Sequence, residues 1–157
     1  MNFKFLFLLM WFGMVSSQGI VSIEGPVNKR SVDEVIYEFH TNPEEKEWVF
    51  YLNTPGGSVM DGVRLLPYLE SKNVTCVVDK AYSMGFLLLQ ACSDRVMLPY
   101  GSLMQHDMYL GLEDDYTKIK SYVEFLTKVY DRLTKMQYSR IGISKEEYLR
   151  KIKDNWW

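Results

Sequence analysis

The sequence is poor in the residues from which metal and redox centres are built. Two cysteines, Cys76 and Cys92, and two histidines, His40 and His106, are the whole supply. There is no CxxC pair, no HExxH and no glycine-rich phosphate loop. We therefore expect no metal, no cofactor and no nucleotide on this chain. Both cysteines stand in apolar runs, Val74-Thr75-Cys76-Val77-Val78 and Leu88-Leu89-Gln90-Ala91-Cys92, and read as buried free thiols. An excess of positive charge is also missing. Lys and Arg number 18 against 20 Asp and Glu, the net charge is -2, and the basic residues do not cluster. That argues against nucleic acid as the main partner. No internal repeat or low-complexity segment divides the 157 residues, so one domain with a real core is expected.

Residues 1–18 differ from the rest. One positive charge at Lys4 precedes an apolar run from Phe5 to Val15, broken only by Gly13. Small residues Ser16 and Ser17 follow, suited to cleavage before Gln18. This pattern reads as a secretory signal peptide or, failing cleavage, an N-terminal anchor. The run is shorter than the roughly 20 apolar residues that span a bilayer. Residues 19–157 then form the folded domain.

The remaining pattern alternates strands and helices. Ile20 to Ile23 alternates as a first strand, stopped by Gly25-Pro26. Ser31 is a plausible N-cap for a helix whose Val32, Val35, Ile36 and Phe39 share a face. Trp48 to Leu52 is a continuous apolar run, as in a parallel strand buried on both faces. Val59, Val63, Leu66 and Leu69 predict one helix, Val74 to Val78 a strand, and the apolar Phe86 to Leu89 a buried helix. Arg95–Leu98 and Leu103–His106 read as two short strands. The order predicts an α/β fold with a parallel sheet. From Glu113 the spacing changes. Tyr116, Ile119, Val123, Leu126, Tyr130 and Leu133 form a heptad-like stripe, with Glu113, Asp114 and Asp115 at the positive end of a long helix. The stripe needs a surface to pack on, either this chain's own sheet or a partner subunit. Ser144 to Glu147 is a capping box for a last helix.

Ligands of open parallel sheets sit beyond the carboxyl ends of the strands. Two turns follow strands there: Asn53-Thr54-Pro55-Gly56-Gly57-Ser58 and Ala81-Tyr82-Ser83-Met84-Gly85. Gly56 and Gly57 allow close approach of a bound backbone. Ser83, at a helix start, places the Met84 N–H beside its own hydroxyl. With the Gly57 N–H this makes a two-donor oxyanion hole. His106 closes an apolar run and is the one histidine in a context suited to a general base, since His40 lies in a polar loop. A serine, a base and an orienting carboxylate are the parts of an activated nucleophile. For the carboxylate, Asp94, Asp107 and Asp154 all remain open.

These residues resemble a known family. The Asn53–Ser58 turn, the Ala81–Gly85 turn and the Leu103–His106 run match, in order and spacing, the proteolytic subunit of the Clp protease, over roughly Ile20 to the C-terminus. The resemblance implies a ClpP/crotonase-like spiral of βαβ units with a protruding long helix. It implies a serine endopeptidase acting through an acyl-enzyme, with Ser83 as nucleophile, His106 as base, Asp154 as the third triad member, and Gly57 and Met84 as oxyanion donors. Gly56 and Gly57 would bind substrate backbone. The implied partners are a peptide or unfolded protein, further copies in a heptameric or double ring joined through the long helix, and an AAA+ ATPase. The chain departs from the family at Tyr82, where a small residue is usual, and at Asp107-Met108. It is also C-terminally short, so little is expected to hold Asp154. Residues 1–18 point to export or membrane association, whereas the family's cytosolic members carry no such segment. The implied alternatives are a non-catalytic ring subunit, a signal-peptide-peptidase-like enzyme, and a crotonase-type acyl-CoA enzyme.

Overall fold

The computed structural model describes residues 18–157. The expected export signal therefore lies outside the described residues. The chain runs β1 (Gln18–Glu24), α1 (Lys29–Thr41), β2 (Glu47–Thr54), α2 (Val59–Gly62), α3 (Leu66–Ser71), β3 (Asn73–Tyr82), α4 (Met84–Ala91), β4 (Asp94–Met104), α5 (Tyr116–Ile141) and α6 (Lys145–Ile152). The four strands form one parallel sheet in the order β1-β2-β3-β4. This is the α/β architecture expected, with the long helix α5 following the last strand.

Alternate residues of each strand build the core: Val21 and Ile23 on β1, Trp48, Phe50 and Leu52 on β2, Val74, Cys76 and Val78 on β3. Val32, Val35 and Phe39 of α1 and Leu87 and Leu88 of α4 complete it. The other sheet face is only half-buried, so β2 alternates and is not covered on both faces as its apolar run suggested. There Tyr51 donates from its hydroxyl to Asp79 at 3.4 Å. A continuous apolar run does not separate full from partial cover, because Val49 and Tyr51 suit both.

Several boundaries move for identifiable reasons. Helix α1 is capped by Asn28, not Ser31. The Asn28 side chain accepts from the Ser31 N–H, and Ser31 Oγ accepts from the Asn28 N–H, each at 3.1 Å. The single helix expected over Val59–Leu69 is two short ones, because Pro67 opens α3 and cannot continue the bonding of α2. Tight i→i+3 bonds from Arg64 to Asp61 and Leu65 to Gly62 fill the gap. The two short strands after α4 are one strand, β4. Its pairing with β3 jumps from Val78–Met97 to Lys80–Ser102, so Leu98 to Gly101 form an irregularity within it.

The cysteines are not free. Cys76 of β3 and Cys92, just past α4, form a disulfide with both residues fully buried. Apolar surroundings look the same around a thiol and a disulfide, which is why the sequence context misled. The bridge closes a loop 16 residues long around Ser83. Loops of this length lose about 3 kcal/mol of unfolded-state entropy when closed.

The stripe on α5 divides. Its second half packs on this chain: Leu133 is buried, with Val129 and Met136 against the core. Arg140 donates to the Cys92 and Ser93 carbonyls at 2.8 and 2.6 Å, tying α5 to the end of α4. Along the first half Tyr116, Tyr122, Val123 and Phe125 are exposed, Tyr116 by 80%. The reading that the stripe packs on this chain is thus met by the second half, while the first half is left exposed. The helix starts at Tyr116, later than Glu113, with Asp114 and Asp115 bonded to Lys118.

The end of the chain is held better than expected. The Gln105 N–H donates to the Trp156 carbonyl at 2.8 Å, and the Trp156 N–H returns a bond to Gln105 at 2.7 Å. The Asp107 N–H donates to the Ile152 carbonyl at 3.1 Å. Trp156 also packs edge-on against Tyr148, and Trp157 against Tyr82.

Candidate active site

Ser83 stands where β3 turns into α4, in a backbone conformation (φ 51, ψ −116) that side-chain-bearing residues rarely adopt. Two neighbours hold it there. Its N–H donates to the Met104 carbonyl at 2.8 Å, and its carbonyl accepts from the Leu87 N–H at 3.2 Å. It heads α4 without a side-chain capping bond. The hydroxyl is turned instead to His106, with Nε2 to Oγ at 2.9 Å. The β3–β4 pairing produces this meeting. Tyr82 lies opposite Met104, so the histidine two residues further on reaches the serine one residue further on. With the proton on Nδ1, Nε2 accepts from the serine hydroxyl.

The glycine turn after β2 lies against the same point. Gly56 is buried at φ 90, and a Cβ there would meet the Tyr82 carbonyl and the Ser83 Cβ at 2.6 and 2.7 Å. Its contact is thus with the serine turn itself. Gly57, at φ 149, is exposed, and a Cβ there would collide with the Val27 carbonyl at 2.3 Å. Val27 N–H and Ser58 N–H bond around it, to Gly56 O and Val27 O, each at 2.8 Å. Among the described residues neither the Gly57 N–H nor the Met84 N–H has a hydrogen-bond partner. Met84 N–H is one of the orphan donors of a helix N-terminus.

Tyr82 does not crowd the serine. Its hydroxyl bonds to Ser102 Oγ at 2.8 Å and its ring packs on Trp157. Of the three candidate carboxylates, Asp94 begins β4, paired with Thr75 at the far end of the sheet from His106. Asp107 accepts from the Met108 N–H at 2.8 Å. No hydrogen bond joins either Asp107 or Asp154 to His106 among the described residues. Asp154 is exposed, yet its place is informative. The bonds from Gln105 to Trp156 and from Asp107 to Ile152 bracket His106 on both sides. Residues 153–155, with Asp154 central, join these two contacts along the chain.

A cavity of about 260 Å³ opens beside Ser83 and His106. Its walls include Val59, Leu87, Leu133 and Ile152, and its polar lining includes Gln105, Thr134, Gln137, Tyr130 and Tyr148. Tyr130 belongs to the stripe on α5, but Gln105 just past β4, Thr134 and Gln137 on α5 and Tyr148 on α6 come from separate segments, which sequence patterning did not bring together. Burial, with the nearby Asp107 carboxylate, pushes the Tyr130 phenol up to about 12. Burial likewise raises Tyr148 to about 12. Both therefore remain protonated donors at ordinary pH.

A hydroxyl hydrogen-bonded to an imidazole, beside two unengaged N–H groups, is suited to acyl transfer. A family model described as Clp protease matches residues 8–157. That span takes in both turns, His106 and the whole described fold. This chain belongs to the Clp protease family, a family of peptidases generally of the serine type.

Proposed function

We propose that this chain is a serine endopeptidase whose nucleophile is Ser83. The observation that carries the reading is the 2.9 Å contact between Ser83 Oγ and His106 Nε2 at a strained turn. His106 takes the hydroxyl proton as Ser83 Oγ bonds to the peptide carbonyl carbon. The carbonyl oxygen, now negative, accepts from the Gly57 and Met84 N–H groups, where the α4 dipole adds to its stabilisation. Collapse breaks the C–N bond, and His106 returns the proton to the leaving amine. Water, deprotonated by His106, then attacks the acyl-enzyme, and Ser83 leaves with the proton. Gly56 and Gly57 offer main-chain groups to the substrate backbone. In this proposal Asp154 accepts from the His106 Nδ1–H during turnover.

Assembly into rings is part of the same proposal. It is supported by two separate apolar surfaces. One is the first half of α5, with Tyr109, Leu110 and Leu112 exposed in the segment before it. The other is the outer strand β4, where Val96, Met97 and Tyr100 are exposed. Further copies of this chain would cover both, the α5 surface between stacked rings. An AAA+ ATPase would feed unfolded protein to such a chamber.

Hydrolysis of an unfolded-protein substrate tests the reading. Cleavage that disappears with Ser83→Ala is expected. Turnover of an acyl-CoA thioester with no peptide cleavage would contradict it. A second reading, a non-catalytic ring subunit, is favoured by the missing Asp154–His106 bond. It predicts co-purification with an active relative and no cleavage by this chain alone.

A further inference from the structure

The cavity beside Ser83 has an unusual floor. Among the described residues five polar side chains are buried, and three of them, Gln105, Thr134 and Gln137, line this one cavity. Gln105 Nε2 donates to Gln137 Oε1 at 2.5 Å and to the Tyr148 hydroxyl at 3.3 Å. Gln105 Oε1 accepts from the His106 N–H at 3.3 Å, which ties the floor to the base itself. Gln137 Nε2 spends one proton on the Leu133 carbonyl at 3.3 Å.

The donor inventory is not exhausted by these bonds. Gln137 keeps a second N–H, and Tyr148 keeps its O–H, having so far only accepted. Gln137 Oε1 and the Tyr148 oxygen each keep an acceptor site. The cavity thus combines apolar walls with a neutral floor that both donates and accepts. We propose that this cavity selects the side chain just before the cleaved bond, and that it takes an uncharged hydrogen-bonding side chain, glutamine above all. The inference rests on the peptidase reading.

Three rival classes fit less well. An aliphatic tip would cover the floor and leave its spare donors without partners. A basic tip would need a carboxylate in the floor, and the one carboxylate of the lining, Asp107, is exposed at the rim. An acidic tip would meet Asp107 and no lysine or arginine, since the lining holds none.

The test is a set of peptides identical except at that position. Glutamine should be cleaved with a kcat/KM about tenfold above leucine, and above lysine and glutamate by more. Gln137→Leu should invert the glutamine-to-leucine ratio, and Tyr148→Phe, which keeps the ring, should lower it part of the way. Leucine or lysine preferred by the unaltered protein would overturn the inference, as would a ratio that neither variant moves. A small fluorophosphonate, which has no such side chain, reads the underlying proposal separately. Labelling of Ser83 with the wrong preference sinks only the pocket assignment. No labelling and no cleavage sinks both.

Discussion

Replacing Ser83 by glycine is expected to make the protein more stable and abolish its activity. The residue sits at φ 51 and ψ −116, where a Cβ is unwelcome. Conformations of this kind cost about 1–3 kcal/mol. Glycine removes that cost but gives back about 0.5–1 kcal/mol in unfolded-state entropy. The net gain should be about 1 kcal/mol, a rise of roughly 3 °C in Tm for a chain of this size. Ser83→Ala is the control. It removes the same hydroxyl and the same bond to His106 but keeps the Cβ, so its stability should stay close to that of the parent. Peptide cleavage should fall by on the order of 10⁶ in both. A strained turn that relaxes on losing its function is what a nucleophile held for chemistry predicts. Equal stability of the glycine and alanine variants would mean that the turn stores no strain.

The second large effect concerns Asp154. Its side chain is exposed and has no hydrogen-bond partner among the described residues, so Asp154→Ala should change stability by less than about 0.5 kcal/mol. If its carboxylate orients and supports the imidazole during turnover, the same change should lower kcat by about 10³–10⁴. KM should hardly move, because the interaction forms on the way to the transition state. Asp107→Asn serves as the comparison, since Asp107 bonds to the Met108 N–H and adjoins Tyr130. Its expected loss is under about tenfold. A larger loss at Asp107 than at Asp154 would transfer the orienting role to Asp107.

Legibility in the sequence followed the range of the interactions concerned. The strands were visible because alternation and apolar runs are local, and Val74–Val78 and Ile20–Ile23 lie inside β3 and β1. Ser83 and His106 were visible as a pair because one opens a buried helix and the other closes an apolar run. Their contact needed the β3–β4 register, which shifts at Val78/Lys80 and which no local rule predicts. The disulfide was missed for the same reason. Only the return of the chain through α4 brings Cys92 to Cys76. Capping of α1 by Asn28 depended on two competing side chains three residues apart, both good caps. The polar floor of the cavity lay furthest from view. Gln105, Gln137 and Tyr148 come from three separate segments and meet only in the fold.

Asp154 shows a case where long-range pairing changed the expectation. The residues after it looked too few to hold it. The antiparallel bridge between Gln105 and Trp156 needs only the main chain, and Asn155 at φ 55 turns the chain into it. Asparagine tolerates that region better than most residues. The segment between Ile152 and Trp156 is therefore anchored at both ends, although among the described residues the Asp154 carboxylate itself is not engaged.

The most direct measurement is covalent labelling by a fluorophosphonate, with the modified residue mapped by mass spectrometry. A hydroxyl activated by His106 should react at Ser83 and at no other serine, and His106→Ala should suppress the reaction. A folded, assembled protein that stays unlabelled, or is labelled equally with and without His106, would contradict the assignment of Ser83 as a nucleophile.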